Sequence, residues 1–140
     1  ADAYDLSVLF TALCRASGII SLPVSGVLID ANLQAKNHWW CEFYLENIGW
    51  IPVDPSLSAG LIYEPFHSSG KTDSSYYFGN LDSQHVAFSR GWNQIKQTNL
   101  VGKTVYRPKT YALQSIWEET STAVQSYSSF WSNVYVMGVY

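Results

Sequence analysis

Asn37-His38-Trp39-Trp40-Cys41-Glu42-Phe43-Tyr44-Leu45, followed closely by Gly49-Trp50-Ile51-Pro52-Val53-Asp54-Pro55, is the stretch on which the reading of this chain turns. Aromatic and β-branched residues fill both runs, and Glu46-Asn47-Ile48-Gly49 lies between them. The pattern predicts strands over 38–45 and 49–54 joined as a hairpin. Strand alternation puts His38, Trp40 and Glu42 on one face and Trp39, Cys41 and Phe43 on the other. A simple hairpin through 46–49 pairs Asp54 with Cys41. For the carboxylate to meet the imidazole of His38, the hairpin needs a bulge or a shifted register.

Upstream, Leu6, Leu9, Phe10, Leu13, Cys14 and Ala16 recur at three- and four-residue spacing, the stripe of a helix packed on a sheet. Asp2 fits the N-cap, Ala3 the first helical position, and Gly18 the residue just past the C-terminus. A further strand is expected over 23–29. Downstream, residues 56–83 are rich in Ser, Gly and Asp and read as a long surface excursion carrying Tyr76-Tyr77-Phe78-Gly79. Strands are expected again at 85–89, 104–106, 111–118 and 130–139, with a turn region over 120–129. The sum is an α+β domain, one long N-terminal helix against an antiparallel sheet.

At 140 residues the length fits one domain with a real core. Only 14% of residues are charged, against 47% apolar, which argues against disorder. The eight basic residues are scattered singly and the net charge is −3, so neither a nucleic-acid surface nor an anionic membrane is an expected partner. Arg15, Gly18 and Pro23 interrupt the best apolar run before it reaches spanning length. Cys14 and Cys41 lack metal-site spacing, and His38, His67 and His85 form no ligand cluster by spacing. No metal or cofactor is expected. The chain opens inside a helix start, so the expectation is a single domain excised from a longer protein, with an extracytoplasmic setting.

A helix N-terminus is a favourable place for a nucleophilic thiol, because its free N–H groups and dipole stabilise the thiolate. An imidazole within reach activates the thiol, and a carboxylate on the far ring nitrogen fixes the tautomer. His38 and Asp54 fit the last two roles, but Ala3 stands where the helix would offer its thiol. Cys14 lies about 16 Å further along the same helix. Cys41 is on the strand face opposite His38, and Ser7 is one turn inside the helix.

Three motifs resemble the transglutaminase-like superfamily, a papain-related α+β fold. Leu13-Cys14-Arg15-Ala16-Ser17-Gly18-Ile19 is similar to the end of its nucleophile helix. His38, Trp40 and Glu42 match its His-x-Trp-x-Glu strand. Gly49, Trp50, Val53, Asp54 and Pro55 match its Gly-Trp-x-x-Val-Asp-Pro. The resemblance is strong over 3–55, weaker to about residue 90, and extends through Phe78-Gly79-Asn80-Leu81-Asp82 and His85-Val86-Ala87-Phe88-Ser89. It implies a cysteine acyltransferase or peptidase ancestry with catalytic positions at Ala3, His38 and Asp54. It also implies that the segment normally preceding the nucleophile is missing. Counting back from Arg15 and Phe10, the nucleophile falls on Ala3 and its usual preceding Gly on Ala1. The expected function is therefore a catalytically silent domain that binds a peptide, protein or cell-wall ligand in the inherited cleft. The alternative is an enzyme of the family whose Cys has been replaced. Trp40, Trp50, Tyr76, Tyr77 and His85 are the candidate cleft-lining residues. Glu42 is expected to pair within the fold, with Arg15 as the partner.

Overall fold

Asp2 caps the first helix, α1 (Ala3–Ala16), with its side chain accepting from the Asp5 N–H. At the other end Gly18, at φ +80°, closes a Schellman turn. Its N–H donates to the Arg15 carbonyl, and the Ile19 N–H donates to Cys14. The computed structural model describes residues 2–61, 73–91, 102–104, 119–121 and 134–138.

Four strands follow in one antiparallel sheet: β1 (Ser21–Ile29), β2 (Ala35–Leu45), β3 (Gly49–Val53) and β4 (His85–Arg90), in spatial order β3-β2-β1-β4. β1 is interior to the sheet, so its run Ser21-Leu22-Pro23-Val24-Ser25-Gly26-Val27-Leu28-Ile29 is buried almost throughout rather than alternating. A separate two-stranded ribbon pairs β5 (Gly102–Thr104) with β6 (Glu119–Ser121). The α+β class expected from the sequence is the class observed. β6 occupies the start of the expected 120–129 turn region, and the described residues 134–138 form no strand, contrary to the expectation for 130–139. The expected strand over 111–118 lies outside the described residues. No helix among the described residues is long and apolar enough to cross a membrane.

α1 lies on the sheet face bearing Trp39, Cys41 and Phe43. The Tyr4 and Trp39 rings meet edge to face at 5.8 Å, Cys41 Sγ reaches the Ser7 carbonyl at 3.8 Å, and Phe10 meets Phe43 at 6.3 Å. The helix thus runs along β2 with its N-terminus at the Trp39 end. The buried positions of α1 are Ser7 and Thr11, whereas Leu9 and Leu13 are more than half exposed. This corrects the expected stripe: two small polar side chains sit against the strands, and two of the leucines point away.

The β2–β3 hairpin also departs from expectation. Leu45 pairs with Gly49 and Cys41 with Val53, one register step from the pairing inferred through a 46–49 turn. Asn47, at φ +66°, takes the left-handed position of the tighter loop. A one-residue slip moves every side chain of a strand to the other face. Continued past Val53, the observed register carries Asp54 to Trp40 and onto the face of His38.

That face holds the rest of the core. Leu28, Leu57 and Tyr77 form a buried cluster with Tyr76 and Leu81 packed on it. The 56–83 excursion is therefore anchored at both ends. Its start is a short helix, α2 (Pro55–Ser58), with Leu57 buried, and its end is a 3-10 turn at Ser74–Tyr77. Phe78 then bridges to Val53 and packs its ring on Phe10 and Phe43.

Candidate functional site

Asp54 stands where β3 gives way to α2. It is the N-cap, Pro55 follows at the first helical turn, and Oδ1 accepts from the N–H groups of Ser56 (2.9 Å) and Leu57 (3.0 Å) and from the Ser56 hydroxyl (2.7 Å). One oxygen is thus committed to local structure. Oδ2 is left to face the sheet, where His38 Nε2 lies 2.5 Å away and His85 Nε2 3.2 Å away.

His38 reaches that carboxylate from β2, diagonally across the hairpin. Its Nε2 carries the proton, because a carboxylate oxygen accepts only. Nδ1, with no hydrogen-bond partner among the described residues, is the basic nitrogen. His85 comes from β4 on the far side of β1. Its Nδ1 lies 2.7 Å from Asp82 Oδ1, and Asp82 Oδ2 accepts from the Tyr77 hydroxyl at 3.0 Å. The chain of contacts therefore runs His38–Asp54–His85–Asp82–Tyr77. Trp40 covers the two imidazoles, 5.2 Å from the His85 ring and 6.3 Å from His38.

The site is dry. Asp54 is fully buried, His38 is 4% exposed, and Trp40 is 2% exposed. Burial alone would raise the Asp54 carboxyl, yet the hydrogen bonds from His38 and His85 outweigh it and hold the group well below the usual carboxylate range. Burial would likewise depress His85, but Asp54 and Asp82 prevail and raise it. For Asp82 the same contest between burial and the His85 bond ends below the ordinary value.

Of the residues singled out from the sequence, His38, Asp54, Trp40, Tyr77 and His85 are brought together. Tyr76 packs edge to face on Tyr77 at 5.2 Å. Trp50 lies elsewhere: it pairs with Tyr44 in β3, against that ring at 5.5 Å and beneath the Arg90 guanidinium at 5.3 Å. That is about 20 Å from His38 along β2 at strand rise. Glu42 pairs with Arg90, whose Nε donates to it at 2.8 Å, and not with Arg15. The reason is the strand face: Glu42 and Arg90 share the side opposite α1. Ala3 is the first residue of α1, next to Tyr4 and its contact with Trp39. Ser7 and Cys41 are fully buried under the helix, and burial first of all pushes the Cys41 thiol up to about 12.

Sequence reasoning missed Asp82 and Ser56, and it did not bring His85 to Asp54. A signal was present in Gly26, a glycine in mid-strand that marks a close backbone approach. It lies between His38 in β2 and Ala87 in β4, and a Cβ there would come within 1.9 Å of the Val86 carbonyl oxygen. The bulge of β4 at this point is possible only over glycine.

His38, Asp54 and His85 also form a cluster of potential metal ligands, with ligand atoms all within 4.8 Å of one another. This corrects the expectation from spacing, in which the histidines stayed apart; His67 lies outside the described residues. The 2.5 and 3.2 Å separations are those of N–H···O hydrogen bonds, so protons account for the arrangement. A cleft of about 490 Å³ is lined by residues 33–37 and 134–136; none of the cluster residues lines it, although Asn37 precedes His38 in β2.

Comparison with known proteins agrees with the motifs. Residues 1–55 match the family model of the Transglutaminase-like superfamily. An uncharacterized protein of Haemophilus influenzae is 27% identical over 110 residues, an alignment that covers 61% of this chain and 30% of that protein. The chain thus spans less than a third of the length of this relative. No solved structure matches it. Residues 1–55, which carry α1, the His38 strand and Asp54, are thus the part of the chain that is similar to the transglutaminase-like superfamily.

Proposed function

We propose that this transglutaminase-like domain is silent in thiol acyl transfer and holds a peptide, protein or cell-wall ligand in the inherited cleft. The observation that carries this reading is a buried His38–Asp54 pair at 2.5 Å in a chain whose α1 begins at Ala3 and offers no thiol there. In cysteine acyl transfer the imidazole takes the thiol proton, and the carboxylate holds the imidazole in register and stabilises its charged form. Nδ1 of His38 is the nitrogen available for that proton. Without a nucleophile the loss in turnover is on the order of a million-fold. What remains is the cleft lined by residues 33–37 and 134–136, of a size suited to holding part of an extended chain.

A second reading is supported by the completeness of the pair: a cysteine acyltransferase or peptidase whose Cys has been replaced by Ala. A site used only for binding has no chemical need for an imidazole locked to a buried carboxylate. Ala3→Cys separates the two. Rapid labelling at position 3 by a thiol-directed probe, lost on His38→Ala, together with amine incorporation or peptide hydrolysis, supports the enzyme reading. Labelling no faster than that of Cys14 leaves binding as the function. Measurable acyl transfer by the unaltered chain would overturn the silent reading.

A further inference from the structure

We propose that His85 is a positioning residue for the His38–Asp54 pair: as a doubly protonated imidazolium between Asp54 and Asp82, it keeps Asp54 an anion aimed at His38 Nε2. The proposal rests on the reading of that pair as an inherited acid–base dyad.

The argument begins with donors and acceptors. A neutral imidazole carries one N–H and one lone pair. Both nitrogens of His85 face carboxylate oxygens, Nδ1 at 2.7 Å from Asp82 and Nε2 at 3.2 Å from Asp54. Neither oxygen has a proton to give when ionised, so a neutral ring would set a lone pair against a carboxylate. The imidazolium satisfies both contacts. The ring is buried, with its side chain 1% exposed, so water does not relieve the mismatch.

The groups around it agree with that charge. Asp54 and Asp82 bracket the ring, the Tyr77 hydroxyl donates to Asp82, and the aromatic faces of Trp40 and Tyr77 lie 5.2 and 5.9 Å away. Among the described residues, His38 is a further titratable neighbour, edge to face at 5.8 Å. With both carboxylates ionised, one imidazolium leaves the buried group one negative charge. A neutral His38 completes it by donating Nε2–H. Removing His85 frees half of Oδ2, lets the Asp54 carboxylate swing about its cap, and releases the constraint on which His38 nitrogen holds the proton.

The test is the ring-nitrogen NMR spectrum of the ¹⁵N-labelled full chain, unaltered and as His85→Gln and His85→Ala. The labelling rate of Ala3→Cys is then measured alone and with each substitution. In the unaltered chain His85 should show two protonated nitrogens at about pH 7.5, a unit above the free imidazole value. His38 should show protonated Nε2 and bare Nδ1. The His85 substitutions should mix the His38 tautomers and slow labelling of Ala3→Cys by about tenfold or more, as a wrong tautomer does. A single protonated nitrogen on His85 overturns the proposal, even where the variants fail to fold. So does an unchanged His38 tautomer in folded variants. If Ala3→Cys does not react at all, the acyl-transfer ancestry of the site falls, while the nitrogen spectra still decide the role of His85.

Discussion

His38 Nε2 and Asp54 Oδ2 stand 2.5 Å apart in a pocket from which water is excluded, although sixteen residues and a hairpin turn separate them in the chain. Asp54 is also the cap of α2 and the partner of His85, so one carboxylate joins the sheet, a helix start and the candidate site. Asp54→Ala should therefore cost about 3–5 kcal/mol, the range for breaking a buried ion pair. Urea unfolding followed by tryptophan fluorescence measures it. A loss below about 1 kcal/mol, the worth of a cap alone, would show that the imidazoles contribute little.

The same network sets a pH window. Asp54 and Asp82 are depressed in the folded state, so the stability they contribute is present above the unfolded carboxylate value, about 3.9, and is lost as pH falls through their folded values. His85 is raised, so its contribution is full below the unfolded value, about 6.5, and is lost as pH rises through its folded value. Stability should peak between those limits. His85→Gln should flatten the alkaline limb of the urea-midpoint profile; an identical limb in both proteins would contradict the assignment.

Thiol chemistry gives an independent check on the fold. Cys41 is fully buried with its thiol pushed up to about 12, and burial also raises Cys14. In the native chain Cys41 should resist a thiol reagent at about pH 8 and react only on unfolding, since only the thiolate is nucleophilic. Mass spectrometry of the labelled peptides reports this, and fast native labelling at Cys41 would contradict the packing of α1 on β2.

Gly26 should tolerate no side chain. A Cβ there meets the Val86 carbonyl oxygen at 1.9 Å, and backbone cannot retreat as a flexible side chain can. Gly26→Ala should lower stability by about 1–3 kcal/mol or more and loosen β4, which carries His85. Thermal melts give the first effect, and amide exchange of β4 gives the second. A melting temperature equal to that of the parent would refute the close approach.

The inner face of α1 can be mapped by two substitutions. Leu9→Ser, on the outward side, should change stability by no more than about 0.5 kcal/mol. Thr11→Leu, against the strands, should cost about 1–3 kcal/mol through overpacking. The reverse order in chemical denaturation would restore the leucine stripe as the buried one.

Local signals sufficed for much of this architecture. Asp2 and Gly18 bracket α1 because capping is short-range chemistry, and the strands at 23–29, 38–45, 49–54 and 85–89 were legible because burial imposes a pattern on each run. The motifs around His38 and Asp54 pointed, for the same reason, to the superfamily whose family model matches residues 1–55. Three things were decided only in three dimensions. The one-step register of β2 on β3 carried Asp54 to the face of His38, a choice made by a loop containing Asn47 at positive φ. The face of α1 was set by how closely it approaches the sheet, which favoured Ser7 and Thr11 over Leu9 and Leu13. And the meeting of His85 with Asp54 depends on β4 lying beside β1 over Gly26, a contact between residues 31 positions apart that no local pattern encodes.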